Sequence, residues 1–219
     1  MKKLLFVFMF VLGTLGFAKE EFAVAEAPKE PVVEKSVVDG MNFYVRTGVT
    51  AWSDYHVRSS SVDGDGVGYE TSLELTKKLE KYPNLEVGLG VGFHSLADGE
   101  TMFYGQRGAK YEDYKSYPIF LTARYTFPVV GDGVTPYVKA DLGYAFNGSV
   151  KYDLVGGAIT GKENIDNGIY AGFGAGIEQN NINVDVMFKT TQGEVDKHDV
   201  DSYRILMSVG YRFDLGKYF

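Results

Sequence analysis

The chain of 219 residues is 45% hydrophobic and 15% aromatic, carries 29 acidic and 22 basic side chains, and has a formal net charge of −7. This negative balance argues against a nucleic-acid partner, which requires a basic surface. Cysteine is absent, which excludes disulfides, thiol nucleophiles and cysteine metal sites.

Residues 1–18 have the pattern of a secretory signal peptide. Two lysines precede an apolar run, and the segment ends at Ala18 with small residues at the cleavage position. The run is shorter than the ~20 residues that a membrane-spanning helix needs, so an uncleaved anchor is the less favoured alternative. We predict export and removal of residues 1–18.

Residues 19–40 differ from the rest of the mature chain. They contain Pro28 and Pro31 among alternating charges and show little hydrophobic periodicity. The P-x-x-P spacing could serve as a docking motif, but a solvated linker is the simpler interpretation. We predict a flexible periplasmic spacer over 19–40.

From Met41 onward, apolar residues recur at every second position. Eight segments show this alternation: MNFYVRTGVTAWS, VGYETSLELT, LEVGLGVGFH, SYPIFLTARYTF, PYVKADLGYAF, GIYAGFGAGIE, INVDVMFKT and YRILMSVGYRF. Repeated segments of about ten alternating residues are the sequence signature of a membrane β-barrel. The pattern predicts an all-β fold, an eight-stranded antiparallel up-and-down transmembrane β-barrel over 41–219.

The connections between these segments alternate in length. KKLEKYPN, PVVGDGVT and QNN are compact, whereas the other four connections are longer. Short periplasmic turns and long external loops are the arrangement of outer-membrane barrels. The pattern therefore places both chain ends in the periplasm.

The two faces of the predicted strands differ in chemistry. One face is apolar and contains essentially no charge, whereas the other has charge on every strand and glycine at Gly88, Gly90 and Gly92. Strict alternation also places Trp52 on the charged face. Glycine has no role on a solvent face, but it suits the interior of an eight-stranded barrel, which is only just wide enough for its side chains. We therefore predict that the apolar face contacts lipid and that the charged face lines the lumen.

The predicted inner face carries balanced charge. Its cations are Arg46, Arg124, Lys139, Lys189, Arg204 and Arg212, and its anions are Glu70, Glu74, Glu86, Asp141, Glu178 and Asp185. An unpaired ion in a nearly dry lumen costs several kcal/mol, so equal numbers are expected of a plugged interior. Chance could also produce the balance. We predict a structural lumen charge network.

Aromatic residues cluster toward both ends of the apolar face. Those at the predicted periplasmic side are Phe43, Tyr125, Phe127, Tyr211 and Phe213, and those at the other side are Tyr69, Phe93, Tyr117, Phe146, Phe188 and Tyr203. Two such girdles match the two lipid–water interfaces of a bilayer.

With its glycine-alternating strands, the SYPIFLTARYTF and PYVKADLGYAF segments and the ending SVGYRF, the chain resembles the OmpA-type eight-stranded outer-membrane barrel domain over residues 41–219. The resemblance implies the outer membrane of a two-membrane bacterium, contact with its lipids and lipopolysaccharide, and insertion by the barrel-insertion machinery. It also implies an insertion signal made of Ser208, Gly210, Phe213, Leu215 and the terminal Phe219. Either Phe213 or Phe219 could supply the terminal aromatic.

Residues with catalytic potential occur near the long loops. The three histidines, predicted at the external rim, are His56, His94 and His198. Asp63 with Asp65, and Asp196 with His198, resemble the paired acids and the Asp–His arrangement of outer-membrane aspartyl-type proteases. Those proteases have ten strands, and solvated loop residues are the simpler interpretation.

Other site types fit less well. Lipid-A deacylases use a His–Ser pair, but His94 and Ser95 are adjacent in a strand and point to opposite faces. Asp63-Gly64-Asp65 lacks the ligand spacing and closing glutamate of a calcium loop. The glycines of LEVGLGVGFH lack the spacing and following helix of a dinucleotide site. We predict no enzymatic activity, cofactor or metal.

The sequence therefore favours a non-enzymatic outer-membrane barrel that supports envelope integrity or surface interaction. Two alternatives remain open: a narrow pore for small solutes, and a surface adhesin that acts through its external loops. Tyrosine and charge in the loop from Leu96 to Lys115 (MFYGQRGAKYEDYK) suit adhesion and lipopolysaccharide contact equally.

Overall fold

The computed structural model describes residues 38–57, 60–63, 68–95, 99–103, 106–112, 114–154, 160–195 and 198–217. The predicted signal peptide, the spacer up to residue 37, and Phe219 lie outside this part of the chain. Within it, no helix is long and apolar enough to cross a membrane. The one helical element in the described ranges is a short 3-10 turn at Leu215–Lys217.

Thirteen strands make up most of the described residues. They are β1 (Met41–Val57), β2 (Ser60–Asp63), β3 (Tyr69–Leu79), β4 (Tyr82–Ser95), β5 (Gly99–Phe103), β6 (Gln106–Glu112), β7 (Lys115–Thr126), β8 (Thr135–Asn147), β9 (Ser149–Leu154), β10 (Thr160–Asn164), β11 (Gly168–Gln179), β12 (Ile182–Val195) and β13 (His198–Asp214).

Eight of these strands form a closed antiparallel barrel. The order of the main sheet is β13-β12-β11-β8-β7-β4-β3-β1, and β1 pairs again with β13 from Asn42↔Asp214 to Val57↔Val200. The short strand β2 pairs with the end of β1, from Asp54↔Asp63 to Val57↔Ser60. Consecutive barrel strands are neighbours throughout, so the predicted up-and-down eight-stranded barrel is confirmed. Closure removes the unpaired edges that an open sheet would expose.

Tight connections lie at one end of the barrel, which we call the turn end. Glu80–Lys81 joins β3 to β4, and Asn180–Asn181 joins β11 to β12 with φ of 52° and 68°. Positive φ at both central residues is what a type I′ two-residue hairpin requires, and asparagine tolerates this conformation. Residues 127–134 connect β7 to β8. The chain enters β1 and leaves β13 at this same end.

At the opposite end, which we call the loop end, the long connections contain strands of their own. Strands β5 and β6 come from one connection and β9 and β10 from the next, and together they form a four-stranded sheet in the order β10-β9-β6-β5. The two connections pair through β6 and β9. The sequence predicted long loops here but not a sheet, because these strands are short and polar and carry little periodic signal.

A β-bulge changes the predicted position of Trp52. Along β1, Thr50 pairs with Leu206 but Trp52 pairs with Ile205, so Ala51 is an extra residue relative to β13. An extra residue reverses the facing of everything after it. Trp52 is therefore exposed on the outer surface while Ser53 is buried inside. The predicted placement of Trp52 in the lumen is wrong for this reason.

Several inner glycines occupy positions where a side chain would collide with a neighbour. A Cβ atom added at Gly90 would lie 2.4 Å from the ring of Phe120, and one at Gly176 would lie 2.6 Å from the ring of Tyr137. At Gly210 it would lie 2.7 Å from Cγ of Arg46. The glycines thus make room for buried aromatic rings as well as for charged side chains in the narrow interior.

Candidate functional site

The candidate site is the lumen, whose buried ions form three layers between the two ends. In the layer nearest the loop end, the carboxylate of Glu70 accepts from the ammonium of Lys189 and forms an ion pair with Nη2 of Arg204 at 3.2 Å. Two cations thus share one carboxylate. His94 and Tyr170 are fully buried at this level, and neither side chain has a hydrogen-bond partner among the described residues.

The middle layer contains three carboxylates and two cations. The Lys139 ammonium contacts Glu74 at 2.8 Å and Asp141 at 3.0 Å. The Arg46 guanidinium pairs with Asp185 and approaches Glu74 at 3.4 Å. Hydroxyl groups donate to the remaining carboxylate lone pairs: Ser72 to Glu74, Thr122 to Asp141, and Tyr137 and Ser208 to Asp185.

The layer nearest the turn end is built around one glutamate and two arginines. Glu178 pairs with Nη2 of Arg124 at 2.7 Å and with Nε of Arg212 at 2.9 Å. Arg124 also donates to the hydroxyl of Tyr44, which in turn donates to Glu86 at 2.9 Å. The guanidinium of Arg124 lies 3.7 Å from the centre of the Tyr137 ring, a favourable cation–π contact.

All twelve ionised residues named from the sequence line the lumen, and eleven of them are buried; Arg212 is partly exposed near the turn end. The sequence did not identify the hydroxyl groups that complete the network. Tyr44, Tyr137, Thr76 and Thr122 donate to carboxylates there. The alternation could have identified them, because each lies two positions from an inward-facing charged residue of the same strand.

The open space between the loop-end and middle layers is small. A cavity of about 10 Å³ lies among Arg46, Glu70, Lys139, Asp185 and Lys189. This volume is close to the minimum that holds one water molecule. Side chains, rather than a column of water, therefore fill this part of the lumen.

Asn147 organises the loop end of the lumen. Its side-chain oxygen accepts from Tyr114 at 2.7 Å and from Ser116 at 2.9 Å, and its amide nitrogen donates to the carbonyls of Asp166 and Gln192. Burial raises the pKa of the Tyr114 phenol to about 12, so this hydroxyl remains a donor at neutral pH. The segment after β10 is thereby fixed to the end of β8.

The outer surface of the barrel is apolar, whereas the lumen is lined by charged side chains. Leu89 and Leu121 are each 61% exposed, whereas Arg204 and Glu74 inside are 0% and 2% exposed. A water-soluble barrel would bury the leucines and expose the ions, and only a lipid environment favours the inverted arrangement. The chain is a small transmembrane β-barrel.

The aromatic girdles surround this barrel at both ends. Ring contacts at the turn end join Phe43 with Phe213, Tyr125 with Phe127, and Tyr211 with Phe213, and those at the loop end join Tyr69 with Phe93, Phe93 with Tyr117, and Phe188 with Tyr203. Aromatic rings favour the two lipid–water interfaces of a membrane. The barrel wall between the girdles is predominantly aliphatic.

Comparisons with known proteins do not identify an activity. No protein-family model matches the barrel chain. An uncharacterised protein of Pasteurella multocida is 26% identical over 167 residues, which cover 60% of this chain and 69% of that protein. Two solved structures were found to be similar to this chain. A major outer membrane protein from Thermus thermophilus is 17% identical, and the match covers 79% of this chain and 99% of that chain with a TM-score of 0.48. Neisserial surface protein A is 19% identical, and the match covers 78% of this chain and 97% of that chain with a TM-score of 0.47.

Of the other candidate residues, His94 has a position that differs from the predicted one. His94 lies inside the barrel rather than at a solvated rim, since it is fully buried opposite Glu70 and Ser116. Asp65 and Asp196 lie outside the described residues, so the protease-like pairs cannot be assembled from them. Among the described residues, no group of three or more histidine and acidic side chains could hold a metal.

Four of the predicted insertion-signal residues have defined positions. Ser208 faces the lumen and donates to Asp185, and a Cβ atom at Gly210 would lie 2.5 Å from Asn183. Phe213 lies on the outer surface, 4.8 Å from the Tyr211 ring. Leu215 begins the 3-10 turn.

Proposed function

We propose that this barrel is a non-enzymatic envelope protein whose lumen is a structural charge network rather than a conduction path. The observation that carries the proposal is the filled interior, in which ion pairs span the lumen from Glu70 near the loop end to Glu178 near the turn end. A continuous pore would require room for hydrated ions, and the cavity beside Arg46, Glu70 and Lys139 holds about one water molecule. The barrel then acts through its stability and its outer surface.

This proposal predicts that the purified barrel gives no steady openings in a planar lipid bilayer. The ion pairs must separate before an ion can pass, which costs several kcal/mol for each pair that loses its partner. Arg124→Gln serves as the comparison, because it removes one ion pair of the turn-end layer. Steady openings of the native protein that change in Arg124→Gln would instead support the narrow pore.

Surface contact is the second element of the proposed function. The loop end carries a four-stranded sheet, which gives two of the external connections a defined backbone rather than leaving them as separate loops. Binding surfaces are commonly built on loops held by a rigid scaffold. We propose that this sheet contacts lipopolysaccharide or a neighbouring cell surface, with an adhesin as the alternative within the same class.

Replacing residues 97–113 with a short Gly-Ser linker removes β5 and β6 and tests this role. If the sheet contains the binding hot spot, adhesion of whole cells is expected to fall about 30-fold, the equivalent of 2 kcal/mol. A variant with residues 58–67 replaced in the same way is the control, because it leaves both β6 and β9 intact. Equal adhesion of all three strains would contradict a role for the sheet.

The insertion signal remains a proposal based on the resemblance. Ser208, Gly210, Phe213 and Leu215 lie on or just after β13, the strand that closes the barrel against β1. We propose that the insertion machinery recognises this strand before closure, with Phe213 or Phe219 as its terminal aromatic. Residues 19–40 are proposed to remain a flexible periplasmic spacer.

A further inference from the structure

The connection between β7 and β8 has a different composition from the other two connections at the turn end. It runs through Val129 and Val130, which are 63% and 61% exposed. The corresponding turns at Glu80–Lys81 and Asn180–Asn181 are polar. Exposed valines at a hairpin tip are unfavourable in water, since each adds apolar surface that burial would remove.

We propose that residues 127–130 form a membrane-embedded tip, seated in the lipid headgroup layer of the leaflet at the turn end. The occupant of this apolar surface is lipid, because the tip continues a lipid-facing surface without interruption. Phe127 is exposed on the outer face, and its ring packs edge-on against Tyr125 at 5.2 Å. Both rings belong to the aromatic girdle at the turn end.

The dimensions agree with this placement. Val129 and Val130 follow Phe127 by two and three residues, and a strand rises about 3.3 Å per residue, so the tip extends roughly 7–10 Å along the chain. Barrel strands are tilted by about 40°, which reduces the vertical reach to about 5–8 Å. The headgroup layer on each side of a bilayer is about 5–8 Å thick. The valines therefore stay within that layer.

Val130 and Val134 form a β-bridge, so the polar part of the connection at residues 131–133 closes the turn next to the exposed valines. Gly131 and Gly133 have φ of 56° and 87°, a conformation that favours glycine, and they reverse the chain after Val130. The Gln179 side chain then donates to the carbonyl of Asp132 at 2.9 Å, which ties the polar half of the turn to β11. The connection thus has an apolar outer half and a polar half joined to the neighbouring hairpin.

Depth-dependent fluorescence quenching tests the proposal. The chain contains no cysteine, so single cysteines can be introduced and labelled with bimane. The variants are Val129→Cys, Asn180→Cys at a polar turn, and Leu121→Cys on the lipid-facing wall between the girdles. Each is reconstituted into phosphatidylcholine vesicles whose acyl chains are brominated near the headgroup or near the chain end.

Position 129 is expected to be quenched at least twofold more than position 180, and more by the shallow bromines than by the deep ones. Position 121 is expected to show the reverse depth preference. Quenching at position 129 equal to that at position 180 would overturn the proposal and leave a protein partner as the occupant. Quenching at position 129 that weakens as the protein is diluted in lipid would also overturn it, because contact between barrels would then position the tip.

A second measurement does not depend on the label. Val129→Asn together with Val130→Asn keeps the backbone and the glycines but removes the apolar tip. The midpoint of urea unfolding in vesicles is expected to fall for this variant and to stay unchanged for Glu80→Gln. An unchanged midpoint in the double variant would argue against membrane seating.

Discussion

Replacing Glu70 with glutamine is expected to lower the free energy of unfolding by about 3–5 kcal/mol, the typical cost of removing one partner from a buried ion pair. Glu70 is the carboxylate shared by Lys189 and Arg204, and all three side chains are buried. The amide is nearly the same size but carries no charge, so both cations lose their ion pair. Urea unfolding in lipid vesicles, followed by the fluorescence of the single tryptophan Trp52, measures the change.

Glu86→Gln is the matched control. Glu86 is also buried, but it accepts hydrogen bonds from Tyr44 and Thr76, and among the described residues no cation lies within 4.0 Å of its carboxylate. Its neutralisation is expected to cost about 1 kcal/mol, the typical net contribution of a hydrogen bond. If the two variants lost equal stability, the ion pairs of the loop-end layer would contribute no more than ordinary hydrogen bonds.

Gly88→Ala is expected to lower the stability by at least about 1–3 kcal/mol, the usual range for overpacking, and to reduce the yield of folded barrel. A Cβ atom at Gly88 would lie 2.0 Å from the carbonyl oxygen of Leu75 and 2.6 Å from Cα of Thr76. Both contacts are with the backbone of β3, which cannot move aside without disturbing the strand pairing. The folded fraction is measured from the faster migration of unboiled protein on a denaturing gel.

Gly92→Ala provides the comparison on the same strand and the same face. The atoms nearest to its added Cβ would be Cγ of Pro118 at 3.1 Å, Cδ of Pro118 at 3.6 Å and the carbonyl oxygen of Thr71 at 3.6 Å. Alanine also restricts the unfolded chain, which favours folding by about 0.4–1 kcal/mol. Gly92→Ala is therefore expected to fold with nearly native yield. Comparable losses in both variants would mean that glycine is needed for strand coiling rather than for space.

The losses of stability expected for Glu70→Gln and Gly88→Ala both follow from the narrow interior of the barrel. Eight strands enclose too little volume for large side chains at every inward position. Phe120 and Tyr137 fill the space that the glycines leave, and Arg124 lies against the Tyr137 ring. The interior is thus densely packed as well as ion-paired, and both features favour a role outside the lumen.

The sequence alone determined the class of fold and the facing of most side chains. Alternation with period two is a local property, because each residue in a strand points opposite to its neighbours whatever the strand pairs with. The uncharged apolar face and the glycine-rich charged face could therefore be assigned without a structure, and the inverted composition predicted lipid outside. Leu89 and Glu74 show that inversion directly.

Only the tertiary structure decided where the local pattern breaks and which ions meet. The bulge at Ala51 depends on how β1 pairs with β13, so no pattern within β1 could predict the outward position of Trp52. Arg46 pairs with Asp185, 139 residues away, because the stagger of strands around the barrel places them at the same height. Alternation specifies which side of a strand a residue occupies, whereas its partners across the lumen depend on the register of all eight strands.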